Sequence, residues 1–265
     1  MFPETKPILF RAPASFHNIE IYPIHDMHYG NECFNLQRWN ALKKEILEQP
    51  NRYVVWIGDL MENAIPGSKS DVFSQMYTPI EQREFVAEQF KDLADRTISI
   101  NDGNHEYGRS TRTAGLYPLY DCACIAGIED KYRSAYSVID VSVGNKDQFG
   151  HRRPTHYVLF TTHHAKALKS FASCDALDGF DIFLYGHDHD SIDHPRGKLI
   201  YDQQSKTVQF RPIEMINCGS FLNYSGGYSP RSGFRPSANK FYKLILNDGG
   251  KDIVTVGSHP GSKSA

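Results

Sequence analysis

A chain of 265 residues, 40% apolar and 23% charged, is long enough to bury a sizeable core and has the composition of a globular protein in water. Its net charge of −2 gives no global pull towards nucleic acid, so only a local basic patch could serve that role. No apolar run reaches membrane-spanning length, the N-terminal residues lack an apolar stretch behind a basic start, and the five scattered cysteines fit reduced thiols. The expectation is a cytoplasmic protein with no membrane partner.

Taken in order, Ile19-Glu20-Ile21-Tyr22-Pro23-Ile24 alternates and reads as a strand. His25-Asp26-Met27-His28 follows. On an extended backbone Asp26 and His28, two apart, point to the same side and offer a carboxylate and an imidazole to a cation; taken alone, the pair is better explained as a polar loop with a hydrogen-bonded Asp. Apolar residues from Phe34 to Leu47 recur at near-helical spacing and predict a helix over about 33–48. Tyr53–Ile57 is a buried strand with Gly58-Asp59 at its end. Strand, helix, strand implies a right-handed parallel crossover that sets Asp59 beside Asp26, although Asp59 could instead cap a following helix.

Residues 63–79 read as a long loop, and 80–95 as a second helix. The β-branched run Thr97–Ile100 leads into Gly103-Asn104-His105-Glu106, an amide and an imidazole at the end of a strand, where open α/β sheets place their chemistry. Arg109 and Arg112 suit either phosphate oxygens or a solvated helix start. Residues 116–128 read as helical, and Cys122-Ala-Cys124 as small core residues rather than a metal pair, since no second cysteine pair lies nearby.

From Ala135 the pattern becomes strand after strand. The runs 135–141 and 156–162 lead to His163-His164, with a short helix expected over 165–172. Phe180–Tyr185 ends in Gly186-His187-Asp188-His189, whose two histidines again face one side if the backbone is extended. A strand and turn over 214–220 precede a Gly/Pro/Ser loop, 223–239, that interleaves aromatics with Arg231 and Arg235; it can stack and clamp a nucleotide or simply form a surface loop. Strands at 240–246 and 252–256 close the sheet. With no internal repeat and no boundary visible, residues 1–265 read as a single domain with a flexible tail near 257–265.

Five clusters therefore follow apolar strands: Asp26-x-His28, Gly58-Asp59, Gly103-Asn104-His105-Glu106, His163 and Gly186-His187-x-His189. In this order they resemble the signature of the calcineurin-like metallophosphoesterases, over roughly residues 19–220. Glu106 stands where many members carry Asp. The resemblance implies an α/β fold of two mixed β-sheets packed as a sandwich and flanked by helices. It implies two divalent metal ions: Asp26, His28 and His189 on one, Asn104, His163 and His187 on the other, and Asp59 bridging. His163 is preferred to His164 because the first histidine of such a pair takes the ligand role in similar sequences. His105 becomes the acid for the leaving group, with Glu106 as its orienting partner.

The mixed oxygen and imidazole donors suit Mn, Fe, Zn or Ni. Two such ions about 3.5–4 Å apart clamp phosphoryl oxygens and activate a hydroxide at neutral pH. The implied function is hydrolysis of a phosphodiester or phosphomonoester, foremost a phosphodiester of a nucleotide type. Arg109, Arg112 and Arg231 are the candidate substrate contacts. A metal-dependent DNA exonuclease or endonuclease is the main alternative, disfavoured because the chain ends soon after its core and is not basic. A non-catalytic metal-binding scaffold is the other, disfavoured because such relatives tend to carry a damaged ligand set. Nothing here specifies an oligomeric state.

Overall fold

The computed structural model describes residues 6–68, 70–144, 154–163, 178–224 and 240–258. In chain order its elements are β1 (Ile8–Arg11), β2 (Asn18–Ile24), α1 (Leu36–Leu47), β3 (Arg52–Ile57), α2 (Pro79–Asp92), β4 (Thr97–Asn101), α3 (Asn104–Glu106), α4 (Arg112–Ala114) and α5 (Pro118–Ala126). Then come β5 (Tyr132–Arg133), β6 (Tyr136–Val143), β7 (Thr155–Thr162), β8 (Ile182–Tyr185), β9 (Ile192–Asp193), β10 (Arg196–Asp202), β11 (Thr207–Asn217), β12 (Phe241–Asn247) and β13 (Ile253–Ser258).

Both sheets are mixed. One runs β1-β6-β7-β8-β11-β10, with β9 also on β11; the other runs β13-β12-β2-β3-β4-β5. In the second sheet β2, β3, β4 and β5 are parallel, and in the first β7, β8 and β11 are parallel. One apolar core joins them, drawing Ile139, Val141, Leu159 and Leu184 from one sheet and Ile21, Val55, Ile57 and Ile100 from the other. The helices α1 and α2 cover the outer face of the second sheet: Trp56 on β3 meets Trp39 of α1 and Phe90 of α2 at ring-centroid distances of 5.8 and 5.0 Å. Covered on both faces, β3 is apolar from Tyr53 to Ile57 rather than alternating. Helix α2 starts at a capping box, Thr78 and Glu81, with Pro79 at its first position.

The helix expected over 33–48 spans 36–47, and that over 80–95 ends at Asp92 and continues as a single 3₁₀ turn. Of the two cysteines in α5, Cys122 is buried and Cys124 exposed, because residues two apart on a helix face apart. Cys124 is therefore not the core residue that composition suggested. The expected loop 63–79 contains one 3₁₀ turn, Val72–Ser74. Strands β1, β5, β9 and β10 and the first half of β11 were not foreseen. The expected helix 165–172 lies outside the described residues, as does most of the loop 223–239. Among the described residues no helix is long and apolar enough to cross a membrane.

Candidate metal centre

The C-terminal ends of β2, β3, β4, β7 and β8 converge where the two sheets meet. Parallel pairing carries past the strand ends: Asp26 N–H donates to Gly58 O (3.1 Å) and His28 N–H to Asp59 O (3.0 Å). The other sheet is tied in by Thr161 Oγ1–H donating to Asn101 Oδ1 (2.6 Å) and by His163 Nδ1–H donating to Ile57 O (2.7 Å).

Three groups of donor atoms result. Asp26, His28 and His189 form one, Asp59, His163 and His187 a second, and His28, Asp59 and His105 a third; within each, the ligand-type atoms lie within 4.8 Å of one another. His28 Nε2 and His189 Nε2 are 2.9 Å apart, and both face Asp26 Oδ1, at 3.5 and 3.4 Å. His163 Nε2 lies 3.1 Å from Asp59 Oδ2, and His28 Nε2 lies 4.0 Å from the same oxygen. Two ligands held about 2.1 Å from one ion stand roughly 3 Å apart, so these separations fit metal coordination. Asp26 Oδ1 and Asn104 Oδ1 are buried and make no hydrogen bond, so each is an oxygen that a cation could satisfy.

The side chains are aimed by backbone turns and not by extended strands. Asp26 (φ 49°), His28 (50°), Asp59 (50°), Asn63 (46°), His187 (82°) and His189 (57°) all lie in the left-handed region. The extended geometry expected at Asp26-x-His28 and His187-x-His189 is thus incorrect. Each such residue costs about 1–2 kcal/mol, and among the described non-glycine residues only Lys206 adopts this conformation away from the cleft. Strain of this kind gathers where surrounding contacts hold it in place for function. Gly186 is not among the glycines of positive φ. A Cβ there would sit 3.0 Å from Asp26 Oδ2 and from His25 Cγ, so its role is to leave room.

His25 was not singled out from sequence, yet it orients Asp26. Its Nε2 accepts from Cys218 N–H (3.1 Å), so Nδ1 carries the proton and donates to Asp26 Oδ2 (2.6 Å). His187 N–H donates to the same oxygen (2.8 Å), which turns Oδ1 inward. Such partners of a ligand fix its direction and raise its affinity. No sequence signal distinguishes His25 from an ordinary histidine beside a motif.

His105 is buried and neutral. Its Nδ1–H donates to Glu62 O (2.8 Å), and its Nε2 accepts from Arg109 Nη2 (2.8 Å). Burial, with help from the charges of His28 and Arg109, pushes its pKa down to about 4 against the pull of Asp59. His28 goes the other way: burial disfavours its charge, but Asp26, Glu62 and Asp59 outweigh it and push it up to about 10. His163, similarly buried, is raised to about 9 by Asp59 and Asp26. Asp26 and Asp59 stay ionised despite burial, held well below the carboxylate range by surrounding imidazoles. Glu62, also not foreseen, lies 3.4 Å from His28 Nδ1 and 3.6 Å from Arg109.

Glu106 does not orient His105. Its carboxylate turns away and accepts from backbone N–H groups of the Asp59 loop and of Gly103. Burial and the Asp59 charge raise its pKa, while those donors pull it down. Arg109 lies in a π-helical turn, Tyr107–Thr111, that follows α3, whereas Arg112 is exposed on α4. Arg231 and His164 lie outside the described residues.

No family model matches the chain, and no curated protein sequence matches it. Among solved structures, Vps29 of Chaetomium thermophilum is similar at 10% identity and a TM-score of 0.37, covering 91% of this chain and 97% of that one. GAP50, described as the anchor in the inner membrane complex of Plasmodium, is similar at 12% identity and a TM-score of 0.45, covering 92% of this chain and 85% of that one.

Proposed function

We propose that this chain is a binuclear metal-dependent phosphoesterase of the calcineurin-like metallophosphoesterase type. The observation that carries the reading is the pair of His/Asp groups, Asp26-His28-His189 and Asp59-His163-His187, meeting at Asp59 beside a buried neutral imidazole. Asp26, His28 and His189 would hold one ion, Asn104, His163 and His187 the other, and Asp59 both. The donor set suits Mn, Fe, Zn or Ni. When bound, two divalent ions supply Lewis acidity towards phosphoryl oxygens and lower the pKa of bound water towards about 7.

The remaining work falls to the chain's own groups. Asp59 and Asp26 supply negative charge against the cations. His105 keeps one proton on Nδ1, fixed by Glu62 O, so it is not the ready acid expected from sequence: Nε2 first takes a proton from the water that attacks phosphorus and then passes it to the departing oxygen. In the resting site Arg109 occupies that nitrogen. A phosphoryl oxygen is a stronger acceptor for a guanidinium than an imidazole is, so substrate draws Arg109 away and releases Nε2. The substrate class is a phosphodiester of a nucleotide type.

The test is metal content and turnover on one purified sample, using a bis-aryl phosphodiester, an aryl monoester and single-stranded DNA, with and without Mn. About two ions per chain and a preference for the diester support the reading. Preference for the DNA strand would make the protein a nuclease. Two ions with no turnover on any ester would make it a scaffold, and absence of metal binding would overturn the binuclear centre.

A further inference from the structure

Glu106 is fully buried, its carboxylate is taken up by backbone N–H groups, and the proposed chemistry makes no use of it. Its Oε1 accepts from Leu60 N–H (2.8 Å) and Met61 N–H (3.1 Å), and its Oε2 from Asp59 N–H and Gly103 N–H (2.9 Å each). Three of these donors are consecutive residues after β3. Left-handed turns at Gly58 (φ 78°) and Asp59 (φ 50°) fold them into a concave row of N–H groups, which is an anion nest. The fourth donor opens the segment that carries Asn104 and His105. The two backbones nearly touch: a Cβ on Gly58 would lie 2.1 Å from Gly103 N. The lock is reciprocal, because Asp59 Oδ1 accepts from His105 N–H (2.8 Å).

We infer that Glu106 is the positioning residue of the metal pair: it clamps the loop bearing Asp59 to the loop bearing Asn104, so that one carboxylate meets both halves of the site. The inference rests on the binuclear reading above. Bonds from N–H to an ionised carboxylate are roughly twice as strong as neutral ones, and four of them hold the loop without any contribution from metal. Length matters as well as charge. An aspartate is shorter by one carbon–carbon bond, about 1.5 Å, and on this backbone reaches the four donors less well. A glutamine keeps the length but presents an NH₂ group to backbone donors.

The experiment titrates Mn(II) into the parent protein, E106Q and E106D by calorimetry, and reads the magnetic coupling of the bound ions by electron paramagnetic resonance. E106Q is expected to bind Mn(II) 10–100-fold more weakly, the range for partners that orient ligands, and to lose the coupled-pair signal. E106D is expected to recover part of the affinity but not the parental coupling. In the metal-free parent, hydrogen exchange of the Asp59, Leu60 and Met61 amides provides a readout that needs no variant; these amides are expected to be protected before metal is added. Parental affinity and coupling in E106Q, or fast exchange of those amides, would overturn the inference while leaving the binuclear centre standing. Failure of the parent to bind two ions would overturn the centre itself.

Discussion

Gly103 offers the sharpest test of how the site is assembled. Its backbone, φ −98° and ψ −173°, suits any residue, so only space demands glycine. A Cβ would lie 2.1 Å from Asp59 Oδ1 and 2.3 Å from Asp59 N, where 3.0 Å is the practical floor. In Gly103→Ala the carboxylate must retreat by about 0.9 Å, the difference between those two distances. The Asp59 backbone nitrogen at 2.3 Å cannot be cleared by turning the carboxylate alone, so the loop itself must shift as well. Overpacking of this kind costs about 1–3 kcal/mol, and a displacement near 1 Å at reacting groups can lower rate by about 10²-fold. Gly108→Ala is the control, since a Cβ there meets nothing within 4 Å; it should change stability by no more than about 0.5 kcal/mol. Urea unfolding of the metal-free proteins, Mn(II) titration and ester turnover would be measured on all three. If Gly103→Ala matched the parent in stability and metal affinity, the close approach of the two loops would not be what fixes Asp59.

Protons would compete with metal for the proposed site. His28, pushed up to about 10, and His163, pushed up to about 9, are protonated at pH 7 in the metal-free protein. A pKa two units above the ambient pH weakens ligation about a hundredfold, ~2.7 kcal/mol, so Mn(II) affinity should rise between pH 6 and 9. Calorimetry in buffers of different ionisation enthalpy should show proton release, and a flat pH profile would contradict the assigned charges. Both pKa values are raised above the ordinary 6.5, so their contribution to metal-free stability is full below about pH 6.5 and should fade as pH climbs towards 9–10, which thermal unfolding across that range will show. His25→Ala removes the donor that turns Asp26 inward and should cost about 10–100-fold in metal affinity; unchanged affinity would mean that His187 N–H alone sets the carboxylate. Arg109→Ala should lower kcat/KM on a phosphodiester by at least about tenfold without altering metal stoichiometry, whereas a change in stoichiometry alone would place Arg109 in support of the ions.

Much of this architecture could be read from the chain. The alternating or apolar runs 19–24, 53–57 and 97–100 read as strands from their shortness, their β-branched content and the turn residues that flank them, and they are strands. Each run is followed by residues whose chemistry has little use in a core, and parallel pairing then brings those ends to one edge. Other features depend on contacts between segments remote in sequence. Strands β10 and β11 form a hairpin in which Leu199 pairs with Phe210 and Tyr201 with Val208, all four exposed, so no buried face imposed a legible pattern. The left-handed turns at Asp26, His28, His187 and His189 cannot be inferred from those residue types, since each adopts that conformation only because neighbouring loops hold it there. His25 and Glu106 show the same limit. Residue types and their order set which donors exist and bring them to strand ends. The tertiary structure decided which way each donor points, because a side chain's direction follows from backbone turns and from hydrogen bonds made across loops: Asp26 turned by His25, and Asp59 held by Glu106.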